Sequence, residues 1–131
     1  LANKINKNHV IILDGAHNVS GAKALSKVLS SIDTKWQLIF GYLKTREPVE
    51  FINELKSITQ KIITTEITGQ ENSFSSKELF EIIQKKGISV DKSKNIYEAI
   101  EIASQNRLNV CICGSLYLAG EFLKNNQTIP N

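Results

Sequence analysis

Asp14, His17 and Ser115 are the residues of this 131-residue sequence whose types and positions suit chemistry. Asp14 and His17 share the turn Asp14-Gly15-Ala16-His17-Asn18, directly after the apolar run Val10-Ile11-Ile12-Leu13. A carboxylate just past a buried strand accepts hydrogen bonds from ribose hydroxyls, as acids do in nucleotide-binding folds. An Asp at that position also makes an ordinary turn or helix cap. His17 is one of two histidines. Its imidazole can donate to a carboxylate or phosphate, shuttle a proton, or make a plain polar contact. Gly15 lets the backbone turn sharply or approach a ligand. Asn18 reads as the cap of the following helix. Ser115, behind Gly114, opens the last helical stretch. Backbone N–H groups at a helix start, with a hydroxyl beside them, attract anions; a simple N-cap is the alternative. Lys44 and Arg46 put positive charge in a third turn, either to meet phosphate or carboxylate or to stay solvated.

The missing motifs narrow the chemistry. There is no GxxxxGK[ST] run to cradle a triphosphate, and no GxGxxG or GxSxG. No His, Cys and carboxylate group has metal-ligand spacing. Cys111 and Cys113 fall on one face of a strand, where they cannot easily pair. They read as small core residues in a reducing compartment. The chain has 16 basic and 13 acidic residues, a net charge of +3, with the signs interspersed. That pattern argues against a nucleic-acid partner. No signal peptide is visible, and no apolar run approaches the ~20 residues of a spanning helix. A cytoplasmic location without a membrane partner is expected.

These residues need elements to position them. The length suits one domain, and 41% hydrophobic residues suffice for a core. Strands are expected at residues 10–13, 36–40, 61–67, 88–90 and 110–113, with Trp36 packing at a strand edge. Helices fit between them. Apolar residues recur at helical spacing from Val19 to Ile32. Pro48 opens a helix, Ser75 and Glu78 form a capping box, Gly87 stops that helix, and Asn95 with Glu98 starts another. Residues 68–76 read as a polar loop and 126–131 as a flexible tail. Alternating strands and helices predict an α/β fold: a mostly parallel, Rossmann-like sheet of five or six strands with helices on both faces. Ligands of such sheets bind beyond the carboxyl ends of the strands. All the turns named above lie there.

The turn residues also carry a resemblance. Asp14-Gly15-Ala16-His17-Asn18 looks like the DGAHN signature of folylpolyglutamate synthases and dihydrofolate synthases. Gly114-Ser115-Leu116-Tyr117-Leu118-Ala119-Gly120-Glu121 resembles their GSLYLAGE segment. Phe40-Gly41-Tyr42-Leu43-Lys44-Thr45-Arg46-Glu47 is similar to the loop between them. The resemblance implies the carboxy-terminal, glutamate-ligase domain of a Mur-type ligase over residues 1–125. A central P-loop ATPase domain, absent from this chain, would bind ATP and Mg2+ and complete the catalytic centre. The implied reaction joins L-glutamate to dihydropteroate or a reduced folate through an acyl phosphate. By the same resemblance Asp14 and Gly15 would serve ATP, and His17 and Ser115 would hold glutamate. Asn18 and Gly114 would support them, and no metal would be bound here. The fragment alone is expected to be inactive, and the whole protein a monomer. Leu1 in place of Met suggests a fragment or processed chain. The family's linker arginine is not found in residues 1–8, and Val19-Ser20 replaces a Pro-containing continuation. Another Mur-type amino-acid ligase and a non-catalytic nucleotide-binding module are the competing readings.

Overall fold

The computed structural model describes residues 2–4 and 10–127. Its elements run β1 (Ala2–Lys4), β2 (Val10–Leu13), α1 (Val19–Ile32), β3 (Trp36–Phe40), α2 (Pro48–Leu55), β4 (Thr59–Thr64), α3 (Ser76–Gln84), β5 (Ser89–Lys92), α4 (Ile96–Ala103), β6 (Asn109–Cys113) and α5 (Leu116–Gln127). One sheet has the order β1-β2-β6-β3-β4-β5. β1 pairs antiparallel with β2, and every other pairing is parallel. The fold is thus the expected α/β sheet. Its sixth strand is β1, from a polar stretch that carries no strand period.

The helices start where the sequence places them. Asn18 Oδ1 accepts the Gly21 N–H at 2.7 Å, capping α1. Ser75 and Glu78 exchange both bonds of the capping box at α3. Asn95 Oδ1 accepts the Glu98 N–H at 3.0 Å, and Pro48 sits in the first turn of α2.

Two cores flank the sheet. Leu25, Leu29, Phe51, Leu55, Leu79 and Ile83 of α1, α2 and α3 pack on Trp36, Leu38, Phe40, Cys111 and Cys113. Ala99, Ala103, Leu118 and Phe122 of α4 and α5 pack on Ile39, Val110 and Ile112 of the other face. This is the period-2 alternation of a strand covered on both sides. Cys111 and Cys113 share a face as free, buried thiols. The neighbouring Cys113 thiol and burial together push the Cys111 thiol well above its ordinary range, which makes it a poor nucleophile.

Several boundaries differ from the sequence reading. The strand expected at 61–67 is β4, which starts at Thr59 after a short 3-10 turn, Lys56–Ile58, and ends at Thr64. Thr65 and Ile67 are buried beyond the strand's end, where the Thr65 N–H still donates to the Phe40 carbonyl at 3.0 Å and Ile67 packs into the core. The strand expected at 88–90 is β5, shifted into polar Asp91 and Lys92. A sheet edge tolerates such residues, and Asp91 pairs with Lys61 at 2.7 Å. Trp36 lies in central β3 and is fully buried. Its indole N–H donates to the carbonyls of Leu29 (3.0 Å) and Asp33 (3.2 Å) at the end of α1. That bond satisfies the one polar atom which would otherwise favour a sheet margin. α5 continues to Gln127, past the expected start of the tail; residues 128–131 lie outside the described residues. No helix among the described residues is long and apolar enough to cross a membrane.

Candidate functional site

Sheet topology makes the opening. α1 and α2, which follow β2 and β3, pack on one face of the sheet, while α5, which follows β6, packs on the other. β6 lies between β2 and β3. The chain therefore leaves β6 away from both neighbours, and such a parting forms a crevice at the carboxyl ends of the strands.

Short hydrogen bonds lock three turns together around it. The Asp14 N–H donates to the Ile112 carbonyl at 3.0 Å, extending the ladder by one residue. Asp14 Oδ1 then accepts the Ala16 N–H at 2.8 Å and curls the turn. Gly114 N–H donates to the Ala16 carbonyl at 3.0 Å, joining the β2 and β6 turns. The Tyr42 hydroxyl donates to the His17 carbonyl at 3.0 Å, joining the β3 turn to them. Gly114 has a φ of 106°, and a Cβ there would collide with the Gly41 carbonyl and the Phe40 ring. Only glycine fits such a left-handed, crowded position.

The result is a cleft of about 130 Å³. It is lined by His17, by the β3–α2 loop around Tyr42 and Arg46, and by the chain from Gly114 to Tyr117. Tyr42 is nearly fully buried and packs against Phe40 and Phe51, with centroids 5.2 Å from each. Burial pushes its phenol up to about 12, against the opposing pull of the Arg46 guanidinium. The phenol therefore stays a hydrogen-bond donor at neutral pH. Ser115 is buried, and its Oγ accepts the Tyr117 N–H at 3.0 Å, capping α5. A hydroxyl accepts and donates at once, so capping leaves the Ser115 proton for a ligand. Leu116 and Tyr117 stand 64% and 56% exposed at the cleft mouth.

His17, Gly114 and Ser115 thus meet in one cleft. Asp14, Gly15 and Asn18 lie in the same turn but do not line it. Asp14 and Asn18 hold that turn through their bonds to Ala16 and Gly21. Gly15 differs from expectation: its φ is not positive, so no sharp turn requires it. It leaves room for Leu116 instead, whose Cδ2 a Cβ would strike. The two cations of the middle loop separate. Arg46 lines the cleft and makes no ion pair among the described residues. Lys44 turns away to Glu78 at 3.5 Å, where the Ser75 N–H already holds the Glu78 carboxyl below its ordinary range. Sequence reasoning gave Tyr42 no role and left Arg46, with Lys44, open between anion contact and solvation. The rule that ligands sit past strand ends had selected their loop, but not which side chains face inward.

Comparisons with known proteins bear on the family and the fold. A family model described as "Dihydrofolate synthetase, C-terminal domain" matches residues 1–125. No curated protein sequence matches. Among solved structures, Mycobacterium tuberculosis folylpolyglutamate synthase complexed with ADP and AMPPCP superposes with a TM-score of 0.85 at 19% identity, over 98% of this chain and 32% of that one. E. coli FolC in complex with DHPP and ADP gives 0.80 at 17% identity, over 95% and 30%. The Yersinia pestis bifunctional folylpolyglutamate synthase/dihydrofolate synthase with Mn, AMPPNP and L-glutamate bound gives 0.78 at 19% identity, over 95% and 30%. These likenesses establish the fold, and the chain spans less than a third of each relative's length.

Proposed function

This chain belongs to the family of dihydrofolate synthetase C-terminal domains, and from that premise we propose that it presents L-glutamate within an ATP-dependent ligase. The ligase would join glutamate to dihydropteroate or a reduced folate. ATP would first convert the acceptor's carboxylate to an acyl phosphate, and the glutamate amine would then displace phosphate. One observation carries the reading: His17, Arg46 and the capped helix start at Ser115 converge on a single cleft. A guanidinium, a hydroxyl and a helix N-terminus suit the carboxylates of an amino acid. Asp14 keeps a second carboxylate oxygen for the ATP ribose, since Oδ1 alone binds Ala16 N–H. Gly15 stands beside it. The Yersinia relative, solved with AMPPNP and L-glutamate, makes these ligands the natural ones to test.

The domain cannot do the whole reaction by this reading. Phosphoryl transfer needs in-line positioning and charge neutralisation by a metal. No group of three or more His, Cys, Asp or Glu among the described residues suits a metal ion. By the family resemblance, magnesium would be held by a central P-loop domain. Exposed Leu116 and Tyr117 at the cleft mouth suit the closing of that domain over the site. Positioning is the contribution of this domain. Turning an encounter into an intramolecular step lowers a barrier by as much as ~7–11 kcal/mol.

The test compares ADP release by the 131-residue chain with release by the full-length ligase. The chain alone should show none, and the full-length protein should require glutamate. In the full-length protein Asp14→Ala should raise the ATP KM and Ser115→Ala the glutamate KM. Turnover by the isolated chain would overturn the division of labour, and unchanged KM values would overturn the site.

A further inference from the structure

We propose that His17 is the base that takes the ammonium proton of the incoming amino acid. The assignment rests on the ligase reading and follows from the tautomer that the turn imposes. His17 Nδ1 lies 2.9 Å from the Gly15 carbonyl oxygen. A carbonyl only accepts, so Nδ1 carries the proton and donates it. In the neutral ring Nε2 is then a bare lone pair. Such a nitrogen repels a carboxylate and receives a proton from an ammonium.

The rest of the cleft leaves that task to His17 alone. The other charged and titratable groups lining it are Arg46 and Tyr42 of the β3–α2 loop and Tyr117 of α5. Arginine has no free lone pair at neutral pH, and the Tyr42 hydroxyl already donates to the His17 carbonyl. Among the described residues no carboxylate lines the cleft, and Asp14, in His17's own turn, stands outside that lining. The bond from Tyr42 fixes the main chain of His17, and the Nδ1 bond to the Gly15 carbonyl orients the ring upon it. The amino acid then has one orientation: carboxylates toward Arg46 and Ser115, amine toward His17.

The step balances. Nε2 takes one proton from –NH3+, leaving –NH2 and an imidazolium. The nitrogen lone pair attacks the acyl phosphate carbon and forms the C–N bond. The bond from that carbon to the phosphate oxygen breaks, and phosphate leaves with the electron pair. The surplus N–H proton goes to the departing phosphate, and the imidazolium returns its proton to water.

The experiment uses the full-length ligase, ATP and the pterin acid, with either glutamate or hydroxylamine as nucleophile. Hydroxylamine is unprotonated at neutral pH and needs no base. His17→Asn keeps an amide N–H for the Gly15 carbonyl but removes the Nε2 lone pair. Glutamate-dependent kcat should fall about 10²–10⁴-fold, the usual range for losing a general base. Hydroxamate formation by the same variant should match the wild type. An equal loss with both nucleophiles, a rise confined to the glutamate KM, or undiminished glutamate turnover would each overturn the assignment. Absence of hydroxamate from the wild type would instead sink the acyl phosphate reading beneath it.

Discussion

The carboxyl edge of the sheet ends in two different ways. At β4 and β5 it is sealed. Thr64 Oγ1 lies 2.8 Å from Ser76 Oγ, Ser76 Oγ donates to the Thr64 carbonyl at 2.9 Å, and Ser93 Oγ donates to the same carbonyl at 2.7 Å. All three residues are buried. At β2, β6 and β3 the same edge holds a cleft with His17, Arg46 and Ser115 around it. Yet the chain parts to opposite faces in both places, since α3 after β4 and α4 after β5 also belong to different cores. Topology alone therefore offers two crevices. Short hydroxyls that bond to one another fill the first. Glycine, aromatic and long charged side chains leave the second open. Function follows the side chains, with the parting of the chain as a necessary condition only.

That comparison can be broken in order of expected effect. Gly114→Ala should cost about 3 kcal/mol, because a left-handed residue gains a Cβ against a carbonyl. Urea unfolding would measure it, and a loss well below ~1 kcal/mol would mean that the junction of the three turns is loose. Thr64→Val should cost about 2 kcal/mol by stranding buried hydrogen-bond partners at the sealed end. It should leave the glutamate KM of the proposed full-length ligase unchanged; a shifted KM would show that the two ends are not independent.

Ser115→Ala should cost about 1 kcal/mol for the lost cap. It should also raise the glutamate KM roughly tenfold, the equivalent of one bond to a charged group. Stability lost without a KM change would reduce Ser115 to a cap. Tyr42→Phe is the mildest, about 0.5 kcal/mol at neutral pH. Its signature is in the pH dependence. The folded phenol is raised from 10.0 to about 12, so between those values the folded chain binds more protons than the unfolded one. Stability should be fully present below pH 10 and fall as pH rises toward 12. The phenylalanine variant should lack that decline, and an identical alkaline profile would refute the burial of the phenol.

Much of this was legible in advance because it is local. A capping box needs a residue and its third neighbour, so α3 was readable from Ser75 and Glu78. The buried strands were readable from continuous apolar runs. Burial past a strand's end was not: Ile67 looks like strand to any hydrophobic pattern. β1 and β5 escaped in part for the converse reason, since edge strands are specified by their neighbours rather than by their own composition. Within the cleft, His17 and Ser115 stood out by their place after strands, as did Asp14 in the turn beside it. Tyr42 did not, because its value lies in a bond to a carbonyl 25 residues away.

The sequence alone determined the alternation of elements, the helix caps and the family signature, all set by short-range periodicity and residue chemistry. The tertiary structure alone decided the strand order, the choice of Arg46 over Lys44 as the cleft's cation, and the bond from Tyr42 to the His17 carbonyl. Those three depend on which groups distant in the chain approach within a few ångströms. Side-chain spacing along a single strand or helix carries no such distances.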